Sequence, residues 1–204
     1  MSVFTDYKKE IMDAAHDMKI RVALSRAVKR YRANINSALE KFPHTIQMAE
    51  EVRGIKERAI NEMERLAQQA CEAVEANKGK AYRARTADDA LSIIGKLVGS
   101  GKLIVKAKSM TGEEIELREH LEEWGNEVYE TDLGEFIIQK LGSRPMHILS
   151  PAIHVPREDV ARLFSKVIGQ EISPDSDIAR LVAAAREFLR EKFFQADIGI
   201  SGAN

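Results

Sequence analysis

Apolar residues change their spacing at Gly79, and this constrains the fold of the 204-residue chain more than any other feature. Before Gly79 they recur every three or four positions, the period of a helix face. Ile11, Ala15, Met18 and Val22 form one stripe, and Leu24, Val28, Tyr31, Ile35 and Leu39 continue it after a phase slip. The spacing predicts a helix over residues 7–42, broken at Phe42-Pro43-His44-Thr45, because proline restricts the residue before it. A second helix is predicted up to residue 77, with Val52, Ala59, Met63, Leu66, Ala70 and Val74 along one side. Asn77-Lys78-Gly79 is its stop, glycine supplying the left-handed conformation of a helix end. Helices of about 50 Å each need a partner for their apolar sides. A short connection favours an antiparallel pair, with part of the stripes resting on the next domain. Cys71 lies on the apolar side and reads as buried rather than reactive.

After Gly79, short apolar runs alternate with capped helices. Residues 80–84 can be a strand. Thr86-Ala87-Asp88-Asp89 caps a helix with Ala90, Ile93, Ile94 and Leu97 on its inner side. Leu103-Ile104-Val105 is a strand core, and Thr111-Gly112-Glu113-Glu114 is a capping box for a helix running to Trp124. Glu127-Val128-Tyr129-Glu130 is a strand, followed by a short helix that Asp132 caps. Residues 146–149 read as a strand, Pro156 opens a helix, and Ser173-Pro174 opens the last helix. Residues 197–200 form the final strand. Strands separated by helices imply a largely parallel sheet with helices on its faces. The organisation expected is a helical arm, residues 1–78, and an α/β domain, residues 79–204.

Composition narrows the function classes. One cysteine excludes an internal disulfide and a cysteine-only metal site, so no metal or cofactor is expected on this chain alone. No apolar run reaches the roughly 18–20 residues of a membrane span, and the first residues carry no secretory signal. A soluble cytoplasmic protein is expected. Residues 1–85 hold 17 Lys+Arg against 12 Asp+Glu, and residues 86–204 hold 14 against 20. The basic run Lys19, Arg21, Arg26, Lys29, Arg30, Arg32 reads as a solvated or docking helix face. Thin aromatic content and the lack of a recognition motif argue against nucleic acid.

In open α/β sheets ligands bind beyond the carboxyl ends of the strands. The residues falling there are Lys106, Lys108 and Ser109; then Glu130, Thr131, Asp132 and Glu135; then Ser150 and His154; and finally Ser201, Gly202 and Asn204. Lysines, a hydroxyl and helix-start amides suit a carboxylate or phosphate. Thr111 and Glu114 read as capping only. Asp132 and Glu135 either cap or face a ligand. His147 and His154 have no metal spacing and read as structural, and Trp124 as a packing anchor.

The stretches Lys108-Ser109-Met110-Thr111, Leu121-Glu122-Glu123-Trp124-Gly125, Glu130-Thr131-Asp132-Leu133-Gly134-Glu135 and Ala196-Asp197-Ile198-Gly199-Ile200-Ser201-Gly202-Ala203-Asn204 resemble the LUD domain family along essentially the whole chain. The resemblance implies a fold like the sugar-phosphate isomerase and CoA-transferase superfamily. It also implies a part in oxidising L-lactate to pyruvate, within a complex of lactate-utilization subunits. The iron–sulfur subunits it resembles carry [4Fe–4S] clusters on C-terminal cysteine motifs, which these residues lack. The chain is therefore expected to be an N-terminal fragment, inactive alone. Position and chemistry assign proton handling to Glu130, Asp132 or His154, and anion binding to Lys106, Lys108, Ser109, Thr131, Glu135, Gly202 and Asn204. A non-catalytic scaffold module and, by fold analogy alone, an isomerase or transferase remain the alternatives.

Overall fold

The computed structural model describes residues 3–143, 145 and 150–202. The expected strand over residues 146–149, His147 and Asn204 lie outside the described residues. The chain divides into two compact units, residues 28–93 and residues 1–27 with 94–204.

The described residues 3–76 are almost entirely helical. They form α1 (Val3–His16), α2 (Met18–Lys41), α3 (Thr45–Asn61) and α4 (Met63–Ala76). Two long helices were expected where four stand. Asp17 makes the first break, its carboxylate accepting from the amides of Lys19 and Ile20 and so capping α2. The second break is a turn at Glu62. No residue of α2, α3 or α4 is buried. The expected antiparallel pairing would bury the stripes, yet Val28, Ile35, Val52 and Ile60 are exposed. Cys71, expected to be buried, is only partly covered.

Residues 80–84 form no strand. Lys78 takes the left-handed turn after α4 with φ 64°, the role expected of Gly79. Gly79 is needed for a close approach instead: its amide donates to the Val74 carbonyl at 2.9 Å, and a Cβ would sit 2.7 Å from Val74 Cγ1. Arg83 then reaches back to the Glu64 carboxylate with two hydrogen bonds of 2.6 and 2.7 Å. These bonds draw the segment towards a helix rather than a sheet edge.

Among the described residues the sheet is small and parallel. Its strands are β1 (Leu103–Lys106), β2 (Glu127–Glu130) and β3 (Ile198–Ile200), in the order β2-β1-β3. Helices α5 (Ala87–Val98), α6 (Met110–Glu114), α7 (Leu117–Glu123), α8 (Leu133–Leu141), α9 (Arg157–Ile168) and α10 (Ile178–Gln195) complete the chain. Side chains alternate along a strand, so each face of the sheet takes its own set. Val105 and Tyr129 join Phe136, Phe164, Leu181 and Leu189 in the core built with α8, α9 and α10. Ile104 and Val128 point the other way and are equally buried, as are Leu117 and Leu121 of α7. This is the α/β architecture the sequence implies.

Several boundaries move for local reasons. The helix expected to run to Trp124 is two, because Glu116 adopts φ 50° between them. Ser109, not Thr111, is the cap of α6: its hydroxyl accepts from the Gly112 amide at 3.0 Å. Asp177 caps α10, and Ser173 shapes only the turn before it. Trp124 does anchor a helix end, stacked on His120 and packed against Gly95. Among the described residues no helix is long and apolar enough to cross a membrane.

Candidate functional site

The register of the sheet builds the site. Lys106 and Glu130 are the last residues of β1 and β2, and they are cross-strand partners. They fall on the same face as Ile104 and Val128, so both side chains enter the interior. Lys106 is 0 % and Glu130 1 % exposed. Lys106 Nζ donates to Glu130 Oε1 at 2.9 Å and Oε2 at 3.2 Å, and to Glu113 Oε1 of α6 at 2.9 Å. Arg118 Nε stands 3.9 Å from Glu130 Oε1. The backbone closes around the pair: Thr131 donates to the Lys106 carbonyl from its amide at 2.9 Å and its hydroxyl at 3.0 Å. Gln139 bridges the edge of β2, its side-chain oxygen accepting from the Glu130 amide and its nitrogen donating to the Val128 carbonyl.

A second ion pair lies beside the first. Lys108 Nζ is 3.3 Å from Glu135 Oε1. Lys108 Nζ is hidden from solvent, without an aligned hydrogen bond among the described residues. Asp132 Oδ1 accepts from the amides of Gly134 and Glu135, capping α8. Asp132 and Ser109 therefore occupy the helix-start amides that sequence reasoning offered to an anion. His154 Nδ1 is likewise hidden, without a hydrogen-bond partner among the described residues.

Lys106, Lys108 and Arg118 thus meet Glu113, Glu130 and Glu135, with Lys106 and Glu130 the most deeply buried of the six. Burial pushes the Glu130 carboxyl up to about 7, more than Lys106 can pull it down, and Glu113 and Glu135 add to the rise. Burial also raises Glu135, with Glu113 adding to it and Lys108 opposing. Desolvation alone would lower Lys106, but Glu130 and Glu113 together outweigh it and hold the ammonium charged. Burial lowers the His154 imidazole, the Pro151 carbonyl opposing weakly, so the ring is neutral near pH 7. The cluster can exchange one proton near neutrality, and Glu130 carries it. Among the described residues no group of His, Cys, Asp or Glu is arranged to hold a metal ion. Lys106 occupies the space between Glu113 and Glu130 that a cation would take.

The structure brings together Lys106, Lys108, Ser109, Glu130, Thr131, Asp132 and Glu135. Gly202 joins them from beyond β3: a Cβ on it would lie 2.7 Å from both Cβ and Oγ of Ser109. Gly202→Ala is expected to cost about 1–3 kcal/mol through this overlap. Chemical denaturation measures it, and an unchanged midpoint would show that the Ser109 turn yields freely. Sequence reasoning missed Glu113, having read it as part of a capping box. Its signal was position: the first turn of a helix that starts just past a strand ending in lysine.

The comparisons with known proteins agree with one another. The family model described as LUD domain matches residues 67–204. Lactate utilization protein B of Bacillus licheniformis is 35 % identical over 201 residues, covering 97 % of this chain and 42 % of the relative. Lactate utilization protein B of Bacillus subtilis is 35 % identical over 208 residues, covering 100 % of this chain and 43 % of the relative. The uncharacterized electron transport protein YkgF of Escherichia coli is 33 % identical over 202 residues, covering 98 % of this chain and 42 % of the relative. The chain therefore spans about two-fifths of the length of these curated relatives. No solved structure matches it.

Proposed function

The chain belongs to the LUD domain family, and on that footing we propose that it forms the substrate-facing part of a lactate-utilization protein that oxidises L-lactate to pyruvate in the cytoplasm. The observation that carries this reading is the Glu113–Lys106–Glu130 cluster at the strand ends, with Glu130 poised near neutral pH. The names of the two Bacillus relatives support the substrate class.

Each group has a role in that reaction. Turning a 2-hydroxy acid into a 2-oxo acid removes two electrons and two protons. Lys108, with no aligned hydrogen bond of its own, would hold the substrate carboxylate as a point charge. The Ser109 hydroxyl and the Gly202 backbone would border it. Glu130 would take a proton, held in place by Lys106, and neutral His154 would be the second acceptor. Thr131, Asp132 and Glu135 would position the loop between β2 and α8. The electrons need an acceptor, and the family resemblance implies [4Fe–4S] clusters for the longer protein. Cys71 does not fit such a cluster, which needs about four thiolates. The acceptor is proposed to lie in cysteine-rich sequence beyond these residues or in a partner lactate-utilization subunit.

A scaffold role is the second reading, because the ion pairs also tie α6, β1, β2 and α8 together. Binding separates the two. L-Lactate and pyruvate are titrated calorimetrically into the full-length protein and into its Lys108→Ala and Glu130→Gln variants. The enzymatic reading expects both variants to weaken binding about tenfold or more. Unchanged binding in both would remove these residues from the site and leave the scaffold.

A further inference from the structure

Helix α2 carries two surfaces that the strand-end site does not use. At about 100° per residue, Ile20, Leu24, Val28, Tyr31, Ile35 and Leu39 fall within roughly a third of its circumference. None of them is buried, and Val28, Ile35 and Leu39 are 46 %, 57 % and 37 % exposed. The rest of the circumference carries the cations. Arg21 and Arg32 lie along one edge of the stripe, while Lys19, Arg26, Lys29 and Arg30 lie on the far side with the exposed Met18 and Val22. The helix holds seven Lys+Arg against the single acid Glu40. Among the described residues none of these cations is in an ion pair.

We propose that α2 is an interfacial helix, laying its apolar stripe into the headgroup region of an anionic lipid bilayer. The distribution of charge selects this occupant. A helix seated in a protein groove turns its far side to solvent, where cations gain nothing from the partner. A helix at headgroup depth has phosphates beside its Arg21 and Arg32 edge, and its far-side cations stay within about one Debye length, ~8–10 Å, of the charged surface. A nucleic acid would use the cations and leave the apolar stripe in water. The stripe spans the helix at about 36 Å, long enough to lie along a surface, and the cations exclude a crossing.

The test is co-sedimentation of the full chain with vesicles. One set is pure phosphatidylcholine, and the other contains about one third phosphatidylglycerol. The chain is expected to sediment with the anionic set at about 0.1 M salt and to stay in solution with the neutral set. About 0.5 M salt is expected to release it. Arg26→Glu with Arg30→Glu, and separately Val28→Ser with Ile35→Ser, are each expected to weaken binding about tenfold or more. Circular dichroism checks that both variants keep their helices, and the wild-type titration decides the matter whether or not they do. Absence of sedimentation with anionic vesicles, or equal binding to neutral ones, would overturn the proposal, as would a folded variant of either kind that binds like the wild type.

Discussion

Lys106→Met is expected to destabilise the chain by about 3–5 kcal/mol, the range for removing one partner of a buried ion pair. The side chain is fully buried, and its ammonium is the shared donor of Glu113 and Glu130. Methionine restores the volume, not the charge, leaving the buried Glu130 carboxylate without its cation and facing the partly exposed Glu113. Glu130, already pushed up to about 7, can relieve part of the cost by taking a proton. The loss is therefore expected to be larger at pH 8 than at pH 5. Adding Glu130→Leu to Lys106→Met is expected to recover most of it, because apolar replacement of a whole buried pair is often close to neutral. Urea or guanidinium unfolding measures all three chains. A single variant within about 0.5 kcal/mol of wild type would mean that Lys106 is neither buried nor paired as described.

Glu130→Gln is expected to remove most of the pH dependence of stability between about pH 4.5 and 7. The native carboxyl titrates at about 7 and the unfolded one near 4.5. The native state thus binds the extra proton inside that window. Stability from this group is fully present below about 4.5 and is lost as the pH rises through 7. At ~1.4 kcal/mol per unit, the loss amounts to about 3 kcal/mol. Glutamine keeps the shape and cannot titrate. Glu135, also raised by burial, leaves a slope of the same sign. Glu64, lowered by Arg83, acts in the opposite sense in more acidic solution. Comparing wild type with the variant cancels Glu64, and cancels Glu135 only in part because it faces Glu130. Parallel stability profiles for the two chains would contradict the assignment.

The legibility of this chain differs between its halves. Capping and strand signals located β1, β2, α8 and α9 to within a residue or two, because Asp132 and Pro156 act on their own neighbours. Carboxyl-end placement then led directly to Lys106, Lys108, Glu130 and Glu135. The pairing of those charges was not legible. It depends on Lys106 and Glu130 sharing a register position across two strands, and on Glu113 arriving from a helix that Ser109 starts. Of the helix-start amides offered to an anion, those of Gly134 and Glu135 donate to Asp132 and that of Gly112 donates to Ser109. In the arm, periodicity found the stripes but not their state. Spacing shows which residues share a helix face, whereas burial depends on what lies against that face. The breaks at Asp17 and Glu62 were missed because each interrupts the helix by a single residue and leaves the apolar spacing almost unchanged.

The site depends on a buried carboxyl at the end of β2 that exchanges its proton near neutral pH. Carbon-13 NMR of the glutamate side-chain carboxyls, followed from about pH 3 to about pH 9, reads this directly. One resonance is expected to titrate near 7 and to vanish in Glu130→Gln. If every glutamate titrates close to the ordinary 4.5, Glu130 does not hold the proton and the account of the site is wrong.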